Sequence, residues 1–90
     1  MTAGAGNDVV SGGDGSDTIN VGEGTNQVDG GSGNDAITVG AGNDTLTGGD
    51  GSDTITAGEG HNTVDAGSGN DVVSAGAGED KVNGGDGSDT

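Results

Sequence analysis

Glycine returns every nine residues along this chain, and that interval governs what the chain can fold into. Counting from Gly4, one position holds Gly4, Gly13, Gly22, Gly31, Gly40, Gly49, Gly58, Gly67, Gly76 and Gly85. Two residues further on, a second series runs from Gly6 through Gly15, Gly33 and Gly51 to Gly87. Gly12, Gly30, Gly48 and Gly84, each just before a repeat start, complete the 24 glycines. Glycine at fixed spacing marks backbone that repeatedly takes positive φ or lies against other backbone.

The other positions sort as regularly. The fifth is Asp8, Asp17, Asn26, Asp35, Asp44, Asp53, Asn62, Asp71, Asp80 and Asp89. The seventh is always branched and apolar: Val10, Ile19, Val28, Ile37, Leu46, Ile55, Val64, Val73 and Val82. The segment from Gly48 to Thr56, G-G-D-G-S-D-T-I-T, shows the unit as six residues of turn followed by three of strand. A strand this short is not stable in a lone hairpin. It becomes stable when like strands stack above and below it, which is solenoid logic. The seventh-position side chains are expected inside, with Val21, Val39, Ala57 and Ala75 two residues further along alternate strands.

A second period overlies the first. The residue after the first glycine runs Ala5, Asp14, Glu23, Ser32, then Ala41, Asp50, Glu59, Ser68, then Ala77, Asp86. The super-repeat is therefore 36 residues, or four units. Residues 4–84 are nine complete units, 85–90 are the loop of a tenth, and 1–3 are an N-terminal stub. No linker or shift of composition breaks the array, so one domain is expected. The near-identity of 13–20 and 49–56 suits recent duplication or a consensus-built array.

Composition alone points elsewhere. There are 16 acidic residues against one basic, a net charge of −15, and no aromatic, proline or cysteine. Low hydrophobicity with high net charge is the signature of disorder, and only the strict period argues otherwise. A chain this short of core needs disulfides, metals or partners to fold. Without cysteine, metal is the route left, and the acids are placed for it. Gly-x-Gly-x-Asp concentrates carbonyl oxygens and one carboxylate. Calcium takes six to eight oxygens with tolerant geometry, which two stacked loops can supply and one cannot. Transition metals favour His or Cys, and His61 is the only such residue. The acidity argues against nucleic acid as a partner. No apolar run approaches a membrane span, and Met1-Thr2-Ala3 leads into the first repeat without a signal peptide.

From residue 4 onward the chain resembles the RTX calcium-binding repeat, G-G-x-G-x-D-x-U-x, of hemolysin-type and serralysin-like proteins. The resemblance implies an all-β fold, a right-handed parallel β-roll with two nonapeptides, 18 residues, per turn and about five turns here. It implies Ca2+ as cofactor, held between loops 18 residues apart. The lower loop would give two glycine carbonyls and its aspartate. The upper loop would give the carbonyls flanking its first glycine, plus its aspartate. On one edge, called even, this carries over fully. Gly13, Gly15 and Asp17 face Gly30, Ser32 and Asp35. Gly31, Gly33 and Asp35 face Gly48, Asp50 and Asp53. Gly49, Gly51 and Asp53 face Ala66, Ser68 and Asp71, and Gly67, Gly69 and Asp71 face Gly84, Asp86 and Asp89.

The odd edge departs from the pattern. Its leading residue is Ala3, Val21, Val39, Ala57 or Ala75, never glycine. Its carboxylates alternate with amides: Asp8, Asn26, Asp44, Asn62, Asp80. With Gly4, Gly6, Gly40 and Gly42 these form weaker metal candidates, because Asn keeps an oxygen and loses the charge. Glu23 and Glu59 occur only in the asparagine loops, where they either restore charge or are simply solvated.

No catalytic constellation rises above the repeat background, so the expectation is a non-enzymatic module. By resemblance it is a calcium-induced folding module of a bacterial protein secreted through a type I system, attached to other domains of its parent. Its uncapped ends invite end-to-end self-association. A different class of function is a binding face for ice or carbohydrate on the outward side of one set of strands. That side carries Thr18, Asn20, Ala36, Thr38, Thr54, Thr56, Val72 and Ser74. His61, Lys81, Asp29 and Asp65 read as solvated surface residues, and Asn43-Asp44-Thr45 as repeat chemistry rather than a glycosylation acceptor.

Overall fold

The computed structural model describes residues 1–78 and 80–87 of the chain. Each nonapeptide makes one turn and one strand. The strands are β1 (Thr2–Ala3), β2 (Val9–Ser11), β3 (Thr18–Val21), β4 (Gln27–Asp29) and β5 (Ala36–Val39). They continue as β6 (Thr45–Thr47), β7 (Thr54–Thr56), β8 (Thr63–Asp65), β9 (Val72–Ser74) and β10 (Lys81–Asn83). Successive strands alternate between two sheets, of order β1-β3-β5-β7-β9 and β10-β8-β6-β4-β2. Every pairing is parallel and offset by 18 residues, as in Ile19 with Ile37 and Val28 with Leu46. The result is an all-β parallel solenoid of the β-roll type, with about four turns and two nonapeptides in each. The three residues ahead of the first full unit carry β1, which pairs Thr2 with Asn20 and Ala3 with Val21.

The fold follows from the period. An offset of 18 places like residue on like residue, so one branched side chain per strand builds a continuous inner column. Ile19, Ile37 and Ile55 of the first sheet and Val28, Leu46 and Val64 of the second are buried. Val21, Val39 and Ala57 join them, as expected. Ala66 is also fully buried, a core role beyond its backbone one. The column fails at its ends. Val10 and Val73 are only partly buried. Val82, expected inside, is 47 % exposed. β10 pairs with β8 alone, so no turn covers its second face among the described residues. Ala75 is likewise only half-buried.

The turns need glycine for two distinct reasons. The third-position residues Gly6 to Gly87 all have positive φ, for example 98° at Gly15 and 111° at Gly51, which L side chains resist. Gly12, Gly30 and Gly48 do not. They are small because other atoms need the space where a Cβ would go.

Candidate metal centre

Stacking at 18 residues turns each fifth-position side chain into a rung of a ladder. On the even edge the Asp17 N–H donates to Asp35 Oδ1 at 2.8 Å, Asp35 N–H to Asp53 Oδ1, and Asp53 N–H to Asp71 Oδ1, all at 2.8 Å. On the odd edge the series is Asp8 to Asn26, Asn26 to Asp44, Asp44 to Asn62 and Asn62 to Asp80, each at 2.9 Å. One oxygen of every such side chain is thereby spent on ordering the turn below. These side chains are buried through the middle of the stack: Asp35, Asp44, Asp53 and Asp71 expose only 1–2 % of their surface.

The second carboxylate oxygen is left over. Oδ2 of Asp8, Asp17, Asp35, Asp44 and Asp53 is buried and accepts no hydrogen bond from the protein. A buried carboxylate oxygen without a partner is costly, and nature fills such a position with a donor, a proton or a cation. Burial accordingly pushes the Asp44 carboxyl above its ordinary range, against hydrogen bonds from Asn26 that lower it. Asp53 is also raised, mainly by burial and further by the charges of Asp35, Asp71 and Asp50.

What surrounds these oxygens differs between the edges. On the even edge a methyl group at Gly30 would lie 2.7 Å from both Asp35 Oδ2 and the Gly48 carbonyl. At Gly48 it would lie 2.6 Å from Asp53 Oδ2 and from the Ala66 carbonyl, and at Gly12 it would crowd Asp17 Oδ2 and the Gly30 carbonyl in the same way. Each orphan oxygen thus shares a small cradle with a carbonyl of the next turn. The other carbonyls expected on this edge also line up. Asp14, Ser32, Asp50, Ser68 and Asp86 form a column of parallel bridges. Gly13, Gly31, Gly49 and Gly67 each accept an N–H from the turn above, leaving a second lone pair. Gly15, Gly33, Gly51 and Gly69 hold the positive-φ corner of the same loops, and Gly84 and Asp86 continue the series. Asp89 lies outside the described residues. The donor set is therefore carboxylate and carbonyl oxygen, suited to a hard cation such as calcium. No group of three or more His, Cys, Asp or Glu converges among the described residues, because each loop contributes only one inward carboxylate.

The odd edge closes itself instead. Its leading residues carry real side chains, and Val21, Val39 and Ala57 are buried there. The Asn26 amide nitrogen donates to the Gly22 carbonyl at 3.0 Å and to Gly24 at 3.5 Å. Asn62 donates to the Ala57 and Gly58 carbonyls at 3.3 and 3.4 Å. The amide supplies internally what a cation would supply from outside. Asp8 and Asp44, with Gly4, Gly6, Gly40 and Gly42 in their loops, keep the orphan oxygen but not the glycine cradle. Glu23 and Glu59 are exposed.

Several supporting contacts were not evident in the repeat pattern. Asn7, Asn34 and Asn43 each accept the N–H of the residue one turn on, at Thr25, Ser52 and His61. The recurrence of Asn at that position was the available signal. Ser32 and Ser68 donate hydroxyls to Asp14 and Asp50, at 2.8 and 2.9 Å. Asp29, read as mere solvation, accepts the Gly31 N–H at 3.2 Å and fastens the following loop.

A parallel solenoid with a column of inward carboxylates along each edge, and oxygen donors from successive loops, defines a class of metal-stabilised β-rolls. Within that class the chain belongs to the RTX calcium-binding nonapeptide repeat family, whose pattern (4 copies) matches residues 1–28, 29–64 and 56–90. No curated protein and no solved structure gives a significant match. Calcium binding is the property of this repeat family, its role is structural rather than catalytic, and it is typical of secreted bacterial proteins.

Proposed function

We propose that the chain is a calcium-gated folding module working outside the cell as the structural part of a larger secreted protein. The observation that carries this reading is the even-edge column of buried Oδ2 atoms, each beside a carbonyl of the next turn in a cradle only glycine leaves open. The proposed ligand set is Asp17, Asp35, Asp53, Asp71 and Asp89, with carbonyls of Gly13, Gly15, Gly30 to Gly33, Gly48 to Gly51, Ala66 to Gly69, Gly84 and Asp86. When bound there, calcium supplies the positive charge that offsets the stacked carboxylates. The chain's own contribution is to spend Oδ1 on the turn below and to leave Oδ2 and the carbonyls turned to one point. With −15 net charge, the calcium-free chain stays expanded, which suits export in an unfolded state by a type I system. Calcium outside then closes the stack.

Far-ultraviolet circular dichroism in calcium and in chelator tests this. The expected result is a steep, cooperative gain of strand signal with calcium. A full β spectrum in excess chelator would sink the reading.

A second reading keeps one specific observation. The outward columns of the first sheet, Thr18-Ala36-Thr54-Val72 and Asn20-Thr38-Thr56-Ser74, bear no charge on a strongly acidic molecule. A flat uncharged face of this kind suits ice or carbohydrate. Inhibition of ice recrystallisation by the folded chain, and its loss in Thr38→Lys, distinguishes this from a purely structural role.

A further inference from the structure

The two ends of this ninety-residue chain are halves of one repeat. Residues 85–90 followed by 1–3 read G-D-G-S-D-T-M-T-A, and residues 49–57 read G-D-G-S-D-T-I-T-A. Only Met1 differs, standing where Ile55 stands. The length closes the register as well, since ninety residues are five turns of 18.

We propose that copies of this chain stack head to tail, β1 and β2 of one copy continuing the sheets from β9 and β10 of another, with calcium required at the junction. The occupant of the open edge is a second copy because the next turn of the same ladder is what fits it. β9 and β10 each pair on one side only, as do β1 and β2. Extended by one turn, Val82 of one copy lies over Val10 of the next, which covers a side chain now 47 % exposed. Val73 receives Met1, itself 59 % exposed. The turn ladder extends too. Gly24, Gly42 and Gly60 donate to the carbonyls of Ala41, Glu59 and Ala77, so the Gly78 N–H meets the Ala5 carbonyl of the next copy. Gly30, Gly48 and Ala66 donate to Thr47, Asp65 and Asn83, and Gly84 then meets Ser11.

The junction differs from the interior in one respect. Ninety is not a multiple of the 36-residue super-repeat, so the alternation of Asp and Asn on the odd edge slips there. Inside one chain every odd-edge pair is Asp with Asn, the neutral member bonded to carbonyls. Across the junction Asp80 meets Asp8, whose Oδ2 is already buried and unpartnered. Both edges of the junction are then Asp over Asp, and two carboxylates brought together without a cation repel. This rests on the calcium reading above and goes beyond it. The interface is heterologous and does not close on itself, so it generates open stacks rather than a discrete dimer.

Sedimentation velocity of the chain across a concentration series, in millimolar calcium and in chelator, tests it beside circular dichroism of the same samples. The expected result is a concentration-dependent ladder of species in calcium that reverts to monomer in chelator. Val82→Lys, at an exposed end position, should weaken association about tenfold or more while keeping the calcium-induced spectrum. Asp8→Asn should lower the calcium concentration needed for association. A sharp monomer at high concentration with the β spectrum intact overturns the stacking and leaves the calcium reading standing. Association blocked by Thr38→Lys but not by Val82→Lys overturns it in favour of lateral packing. Association that persists in chelator overturns the calcium requirement.

Discussion

At the scale of single residues, the fifth-position aspartate divides its work between two oxygens. Oδ1 orders the turn below and Oδ2 waits for charge compensation. That division predicts how acid acts. The carboxyls of Asp44 and Asp53 are raised above 3.8 in the folded, metal-free chain. The folded state then holds protons more tightly than the unfolded one, so its penalty is full above the raised values and is relieved as pH falls through them. In chelator, strand signal should therefore increase on mild acidification, between those raised values and about pH 3.8, and circular dichroism along a pH series checks this. The cradle gives a second prediction at this scale. Gly48→Ala would place a methyl 2.6 Å from Asp53 Oδ2 and the Ala66 carbonyl. It should raise the calcium midpoint of folding about tenfold or more, a cost of roughly 1.4 kcal/mol. Titration calorimetry reads it directly, and unaltered affinity would place the cation elsewhere.

At the scale of loops and strands, the two edges are chemically unlike although they share one backbone pattern. The even edge stacks Asp on Asp beside glycine, and the odd edge stacks Asp on Asn beside Val or Ala. Asn26 and Asn62 each spend their amide on carbonyls of their own loop. Even-edge sites should fill first as calcium rises. The double variant Asn26→Asp, Asn62→Asp removes both amide bonds and adds two buried charges. It should fold less readily in chelator and bind more calcium per chain when saturated, with the gain limited by the side chains of Val21 and Val39. Metal stoichiometry by calorimetry on both proteins decides the point. An identical stoichiometry would mean that carbonyls, or Glu23 and Glu59, dominate binding on that edge.

At the scale of the whole molecule, stability is a sum of turn-on-turn interfaces. Each strand touches only its neighbours at ±18 residues, and one branched side chain per strand carries the apolar burial. A site with a dissociation constant near 10⁻⁴ M contributes roughly 1.4 kcal/mol in millimolar calcium. Four even-edge pairs then add about 6 kcal/mol, comparable with the stability of a small domain, typically about 5–15 kcal/mol. A core truncation of about 2–5 kcal/mol is of the same order. Ile37→Ala, at the fully buried centre of the first sheet, should therefore need several-fold more calcium to fold. Val82→Ala, at the exposed end, should change the midpoint little. Calcium titrations followed by circular dichroism compare the two. Amide exchange should slow toward the middle turns, where both faces of each strand are covered.

Most of the architecture was legible in the sequence because the repeat is strict. A nine-residue period, one branched residue per unit and paired glycines leave few folds other than a stacked solenoid. The alternation Asp8, Asn26, Asp44, Asn62, Asp80 already separated two edges once the pairing was known. The period does not say how far apart in sequence the touching units are. The offset of 18 is a tertiary fact, and only it places Asp17 under Asp35 rather than beside Asn26. Which carboxylate oxygen is spent and which is orphaned depends on N–H groups a full turn away. The pattern likewise could not show that Gly30 and Gly48 are small for the sake of a carboxylate and a carbonyl, or that Asn26 and Asn62 hold their own loops. Those contacts are either between turns or set by how the turns are held in the stack. The end residues show the same limit. Val82 follows the core pattern in sequence and is exposed in space, because burial belongs to the next turn and not to the residue.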